Sequence, residues 1–442
     1  MRTYSADYKI NGVTTYETPE KVDRGFLTMP CIILLLCMLP DIPGLAITKI
    51  PIAILYSCLT LTAVLGALTG KIRVAGRGVF LAFLLITVLN FFNALVYGAP
   101  ILRWMRIAFC SYVFASMFFF IVDKINTPYR RDQMWKLLVI FGSLASLLDF
   151  IAVTRYGLAG AFEDRAAGGQ GFTIIAFMLI LPVLGTVLAK KKWLLFFLIA
   201  NMFLLFLSAS RGAYLIMGAG ILYTLFFIQK RFSYRLFFLL FVLMVGTVLI
   251  NTPVYDRMAD RFSSAAGGTD NSTMARVDEA LSTVNIVRKN WATLIFGKGY
   301  GIPWKPIYTL SMGREPELPG GYMANAPHND YAARLLYCGL VGLVVQLLLY
   351  IVIGFTCFAA LRRSRGSDLD IYTKVRLHGA LLVMMLMVMA GFAGGMFIFL
   401  KNNIMEAFIF GMAMADATEI LSGKRAQLRE KSINEHQGLQ RQ

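Results

Sequence analysis

Arg211, Arg276 and His328 are the side chains whose types and settings could do chemistry. Arg211 is the only charged residue in an apolar run from Trp193 to Gln229. A straight helix of that length would span roughly 55 Å, against a hydrocarbon core of about 30 Å. The run must therefore form two membrane helices folded back on each other, with Ser208-Ala209-Ser210-Arg211-Gly212 at the bend. A guanidinium at that depth costs about 2.5–3.5 kcal/mol on insertion scales, so a chain that keeps one usually uses it on an anion. The alternative is an arginine that snorkels to the interface and caps a helix end. Arg276 falls in the first turn of a helix expected to start at Asn271-Ser272-Thr273, where its charge adds to exposed N–H groups and the positive helix end. Its alternative is an i,i+3 pair with Glu279 on a solvated face. His328 sits in Pro327-His328-Asn329-Asp330-Tyr331, directly before an apolar run. An imidazole there can take up or release a proton near neutral pH. The alternative is a helix N-terminal motif, capped by Asn329 or Asp330, with Asp330 pairing to Arg334.

The elements that must position these groups are membrane helices. Of the 442 residues 57% are hydrophobic and only 15% charged, and the mean hydropathy is +0.64. This composition excludes a soluble globular class and reads as an all-α polytopic membrane protein. The apolar runs give about twelve spans: 26–40, 50–69, 78–97, 103–122, 134–153, 172–189, 193–210, 212–229, 236–252, 332–360, 377–400 and 404–421. The net charge of +18 could suggest nucleic acid, but its distribution argues against that. About 26 of the 43 Lys and Arg fall in connections and tails on one side if the spans alternate, against about 7 in the short connections of the other. That asymmetry is a topology signal and sets both termini in the cytoplasm. The organisation expected is a cytoplasmic tail (1–25), nine spans (26–252), a large outer loop (253–331), three spans (332–421) and a second cytoplasmic tail (422–442).

A loop of some 80 residues is much longer than usual connections and reads as functional. Val277, Leu281, Val284, Val287 and Trp291 recur at helical spacing and predict a helix that stops near Asn290. Phe296-Gly297-Lys298-Gly299-Tyr300-Gly301 reads as a turn. The six cysteines all fall in expected spans, so neither a disulfide framework nor a CxxC metal site is expected. Asp368-Leu369-Asp370 resembles a metal-binding DxD but lies among basic residues and reads as charge balancing. Asp149 and Glu406, acidic groups near span ends, suit either a proton pathway or polar packing between helices.

Ser208-x-Ser210-Arg211-Gly212, the long loop with Arg276 and its Phe-Gly-x-Gly turn, His328-Asn329-Asp330-Tyr331, and Cys338-Gly339-Leu340-Val341-Gly342-Leu343 occur in that order. Together they resemble the O-antigen ligase and O-antigen polymerase superfamily of bacterial envelope glycosyltransferases. The motifs cover about 200–345, and the span count extends the likeness along most of the chain. The resemblance implies a lipid-carrier-dependent, inverting glycosyltransferase of the inner membrane that needs no metal or other cofactor. Its donor would be an undecaprenyl-diphosphate-linked glycan, and its acceptor a growing glycan or a lipid A-core. It implies catalytic roles for Arg211 and Arg276 on the diphosphate and for His328 on the acceptor hydroxyl. Ser210, Gly212, Asn329, Tyr331 and Arg334 would line the substrate site. Other polysaccharide export proteins are candidate partners, and nucleic acid is not. Gly168-Gly169-Gln170-Gly171-Phe172 stands where many ligases carry an Asn-Pro-Asn-like element. That departure leans toward a repeat-unit polymerase, with a ligase as the near alternative. A transporter or flippase of the same lipid-linked glycan is the alternative of another class. Against it stand the lack of an internal repeat and the long outer loop with its Arg and His.

Overall fold

The structure is a computed structural model. It describes residues 9–10, 13–14, 31–32, 61–154, 170–207, 211–228, 263, 271–304, 327, 329–364, 369–393 and 400–439. Apart from a two-residue antiparallel pair, Lys9–Ile10 with Val13–Thr14, its described elements are helical. Helix α1 is Arg77–Val96, α2 Ile101–Lys124, α3 Pro128–Thr154, α4 Gln170–Ile180, α5 Lys192–Leu207 and α6 Arg211–Tyr223. Two short helices follow, α7 Asn271–Val287 and α8 Trp291–Phe296, and then α9 Asp330–Arg363, α10 Ile371–Ala393 and α11 Leu400–Leu439. Residues 61–68 are also helical. The expected spans 26–40 and 236–252 lie outside the described residues. Four helices, α1, α2, α9 and α10, are long and apolar enough to cross a membrane, and 173–185, 192–205 and 212–228 are shorter apolar helices.

The centre of the bundle is α11. Met405, Ala407, Phe408, Phe410, Ala413, Met414 and Ala417 are buried on every side of it. Gly411 lets α2 come close: a Cβ there would lie 2.8 Å from Ile121. Phe114, Phe118 and Phe119 of α2 fill the other side of that contact, with the Phe118 ring stacked on Phe80 of α1. The outward faces of these helices are also apolar. On α1, Leu85, Val88, Leu89 and Phe92 are exposed. A soluble protein would bury such a stripe, whereas in a bilayer it faces lipid tails as apolar as itself. The chain is a polytopic helical membrane protein.

In the apolar run around Arg211, α5 is described to Leu207 and α6 from Arg211, and the bend expected at 208–210 lies outside the described residues. The span foreseen at 172–189 is α-helical only to Ile180 and continues as 3₁₀ turns over Leu181–Gly185 and Val187–Lys190. Pro182 accounts for the change, because it has no N–H to donate and its ring crowds the preceding turn. Another expectation fails in part. The span 332–360 is not one continuous helix, because Gly339 interrupts α9 with φ 64° and ψ −164°.

One end of the bundle is tied by charge. Asp416 of α11 lies between two arginines, with Oδ2 2.6 Å from Arg376 Nε and Oδ1 2.6 Å from Arg131 Nε. Arg376 also binds Asp132 and donates to Thr373 Oγ1 at 2.8 Å, and Arg131 reaches Glu419 at 2.5 Å. Arg131, Arg376 and Asp416 are almost wholly buried, so this cluster joins the starts of α3 and α10 to α11 where water screens little. Removing one partner of such a pair strands a buried charge, at about 3–5 kcal/mol. Asp416→Ala should therefore lower the thermal unfolding midpoint of the detergent-purified protein by many degrees. An unchanged midpoint would show that the cluster does not hold the bundle.

Candidate functional site

At the other end of the bundle, the segment 271–304 meets the break in α9. A positive φ at Gly339 removes the helical acceptors' usual partners, and the freed carbonyls need donors from elsewhere. The Gly-rich turn supplies them. Lys298 N donates to Leu336 O at 2.8 Å and Gly299 N to Tyr337 O at 2.9 Å. Asn90 of α1 completes the joint: its amide donates to Tyr337 O at 2.5 Å, and its Oδ1 accepts from Tyr300 N at 2.6 Å. Asn93 donates to Phe296 O at 2.8 Å, and Tyr97 Oη shares a hydrogen bond with Thr293 Oγ1 at 2.8 Å. The turn lies so close that side chains have no room. A Cβ on Gly297 would meet Tyr337 C at 2.3 Å, one on Gly299 would meet Ala94 N at 2.3 Å, and one on Gly301 would meet Trp104 N at 2.7 Å.

Arg334 stands under this joint. It is buried, its guanidinium lies 4.2 Å from the Phe83 ring centre, and Nη1 donates to Tyr300 Oη and, at 3.5 Å, to Ser111 Oγ. Asp330, the i,i+4 neighbour weighed from sequence, also acts electrostatically on Arg334. Burial pushes the Tyr300 phenol up, against the lowering effect of Arg334, so the guanidinium is bonded to a neutral hydroxyl. Its Nε has no hydrogen-bond partner.

The segment before the break is turned into the bundle. Asp330, Ala332, Ala333, Arg334, Leu336 and Tyr337 are all buried, so protein encloses this first part of α9. Asn329 caps the first part, with Oδ1 accepting from Tyr331 N at 2.9 Å and Ala332 N at 3.0 Å, as one of the sequence alternatives had it. The Tyr331 hydroxyl donates to Val388 O at 2.8 Å, and its ring packs on Phe392 at 4.6 Å. Asn329 and Tyr331 thus dock the loop end onto α10. His328 lies outside the described residues, but Pro327 before it and Asp330 after it are both buried.

Arg211 begins α6, and Gly212 follows in the first turn; Ser210 lies outside the described residues. Helix α6 runs beside α4, with Gly220 against Met178 and Gly185 against Ile228. The end of that strip reaches Tyr372 at the start of α10, where Lys191 Nζ donates to the phenol at 2.5 Å. Helices α6 and α10 are therefore antiparallel. Tyr223 Oη and His378 Nδ1 fix their register at 2.9 Å. Twelve residues back from Tyr223 is Arg211, and twelve forward from His378 is Ala390, about 18 Å along each helix. The start of α6 is thus level with the Val388–Phe392 stretch onto which Tyr331 docks.

Helix α7 carries Arg276 and packs against α9 through Val287, which is buried with Ala333, Leu336 and Tyr337. The apolar stripe of this helix is turned outward. Val277, Leu281 and Val284 are exposed, while Asp278, Glu279, Ser282 and Thr283 are buried. Glu279 therefore does not share a solvated face with Arg276. An apolar stripe turned outward suits a helix at a bilayer surface, where lipid and not the protein core takes the apolar face. The helix also ends earlier than foreseen, at Val287, and Asn290 caps α8 instead, accepting from Ala292 N at 2.9 Å. Sequence reasoning missed Asn90, Ser111 and Phe83, which carry no motif and act through the break, and it gave Tyr300 only as part of the turn.

Residues 194–347, which hold α5, α6, α7, α8 and the break in α9, match the family model described as O-antigen ligase. This region of the chain is thus similar to the O-antigen ligases, in line with the resemblance to the O-antigen ligase and polymerase superfamily carried by its motifs. No curated protein matches the chain.

The joint yields a direct test. Gly299→Ala forces the turn off α1 and should cost about 1–3 kcal/mol, as overpacking does. Limited proteolysis of the purified protein should then cut more readily within 288–304. Equal protection of the variant and the wild type would mean that the turn is not wedged there.

Proposed function

We propose that this protein is an inverting glycosyltransferase that moves a glycan from an undecaprenyl-diphosphate carrier to an acceptor hydroxyl at the outer face of the bacterial inner membrane. The full topology read from the sequence goes with it: about twelve spans, both tails cytoplasmic, and 253–331 as the periplasmic loop. The observation that carries the reading is one of levels. Counted from the Tyr223–His378 contact, the start of α6 with Arg211 comes level with the stretch of α10 onto which Asn329 and Tyr331, next to His328, dock.

In this reading Arg211 and Arg276 neutralise the diphosphate by charge-assisted hydrogen bonds. The bond from the anomeric carbon to the phosphate oxygen breaks, the acceptor oxygen bonds from the opposite face, and His328 takes the proton that this oxygen loses. A placed base typically contributes about 10²–10⁴-fold. Gly212 and Ser210 allow close backbone approach to the head group. Asn329 and Tyr331 hold His328 in place, and Arg334 adds positive charge from beneath. Arginines carry the electrostatic load, so no metal is required. The acceptor is a growing glycan on a second carrier, which makes the protein a repeat-unit polymerase. Transfer of finished glycan to lipid A-core is the second reading, favoured by the printed description of the matching family.

With purified protein and a synthetic undecaprenyl-diphosphate glycan, elongation with release of the carrier diphosphate is expected. Transfer that needs added lipid A-core would instead make it a ligase. Arg211→Lys and His328→Ala should each lower the rate by at least about 100-fold without changing expression. Full activity in either variant would remove that residue from the mechanism, and loss of activity on chelation would reject metal-free transfer.

A further inference from the structure

Beside the joint, the start of α2 carries Arg103 and Arg106 in its first two turns, with no acidic residue in the first. Neither arginine forms an ion pair with a described residue. They lie at the loop end of the bundle, the side from which short connections normally exclude Lys and Arg. The Gly-rich turn is pressed onto this same helix end, where a Cβ on Gly301 would stand 2.8 Å from Arg103 C. That contact brings a third cation, Lys298, whose Nζ lies 5.7 Å from the centre of the Tyr97 ring. Around these charges the surface is apolar: Val96 is 80% exposed, Leu102 77% and Trp291 72%. Cations above an open apolar rim match an amphiphile with an anionic head and a hydrocarbon tail. The patch is joined to the buried Arg334, whose Nε lacks a partner, through the turn residues Tyr300 and Gly301.

We infer that Arg103, Arg106 and Lys298 form a second diphosphate site, for the carrier of the lipid-linked acceptor glycan. The inference rests on the polymerase reading, in which donor and acceptor both arrive on a polyprenyl diphosphate. One polyprenyl-diphosphate site would serve a ligase, whereas a polymerase needs two. The turn that carries Lys298 is fixed to α9 by its backbone hydrogen bonds.

The test uses the full chain in nanodiscs, with undecaprenyl diphosphate as the probe and native mass spectrometry as the readout. The wild type should bind two probe molecules and Arg103→Ala/Arg106→Ala one. In the transfer assay the double variant should raise KM for a diphosphate-linked acceptor about tenfold, as loss of charge-assisted contacts predicts, with the KM for donor unchanged. Two molecules bound to the variant, or equal displacement by phosphatidylglycerol, would overturn the site. A wild type that binds two probes yet transfers nothing would instead count against the glycosyltransferase reading.

Discussion

The constraint on which the loop end depends is the obligation of buried backbone groups to be paired. Once Gly339 leaves the helical region, the carbonyls of Leu336 and Tyr337 lose their partners. In a bilayer no water can replace them, and each unpaired group costs several kcal/mol. The turn at Lys298 and Gly299 and the side chain of Asn90 fill that need. The break, the turn and α1 are therefore one unit, since none of the three is satisfied without the others. Irregular backbone at membrane depth is tolerated where it is buried in protein or lines a polar chamber. Both conditions point to the same region of this bundle.

The two ends solve the burial of charge in opposite ways. At one end Asp416 is shared by two arginines and the charges are matched within the protein. At the other, Arg334 is buried against an aromatic face and a neutral phenol with Asp330 acting on it electrostatically, and the arginines at the start of α2 form no ion pair with a described residue. Matched charge fixes a structure, and unmatched positive charge leaves a field for an anion to fill. On helix α7 the apolar stripe faces out and the polar side, with Asp278 and Glu279, is buried.

Much of the scaffold was legible in the sequence because membrane helices must be long, apolar and bounded. The extent of α1 at Arg77–Val96 follows from apolar run length alone. The cap by Asn329 follows from its side-chain chemistry. The break at Gly339 was not legible, since a glycine within an apolar run reads equally as a helix residue that eases close packing. Its signal is distant: three more glycines, at 297, 299 and 301, whose positive φ only makes sense against a partner. The orientation of α7 also escaped, because the periodicity of Val277, Leu281 and Val284 defines a stripe but not what the stripe faces. The environment of Arg334 came from α1, α2 and the turn, none of them near it in sequence.

The central claim is that the returning loop end and the start of α6 share one anion site in the outer part of the bundle. A cryo-EM map of the full chain in nanodiscs with bound undecaprenyl diphosphate tests it most directly. The account predicts head-group density between Arg211 and Arg276, with His328 beside it and the prenyl chain leaving toward lipid. Head-group density elsewhere, with these three side chains facing separate surroundings, would contradict it.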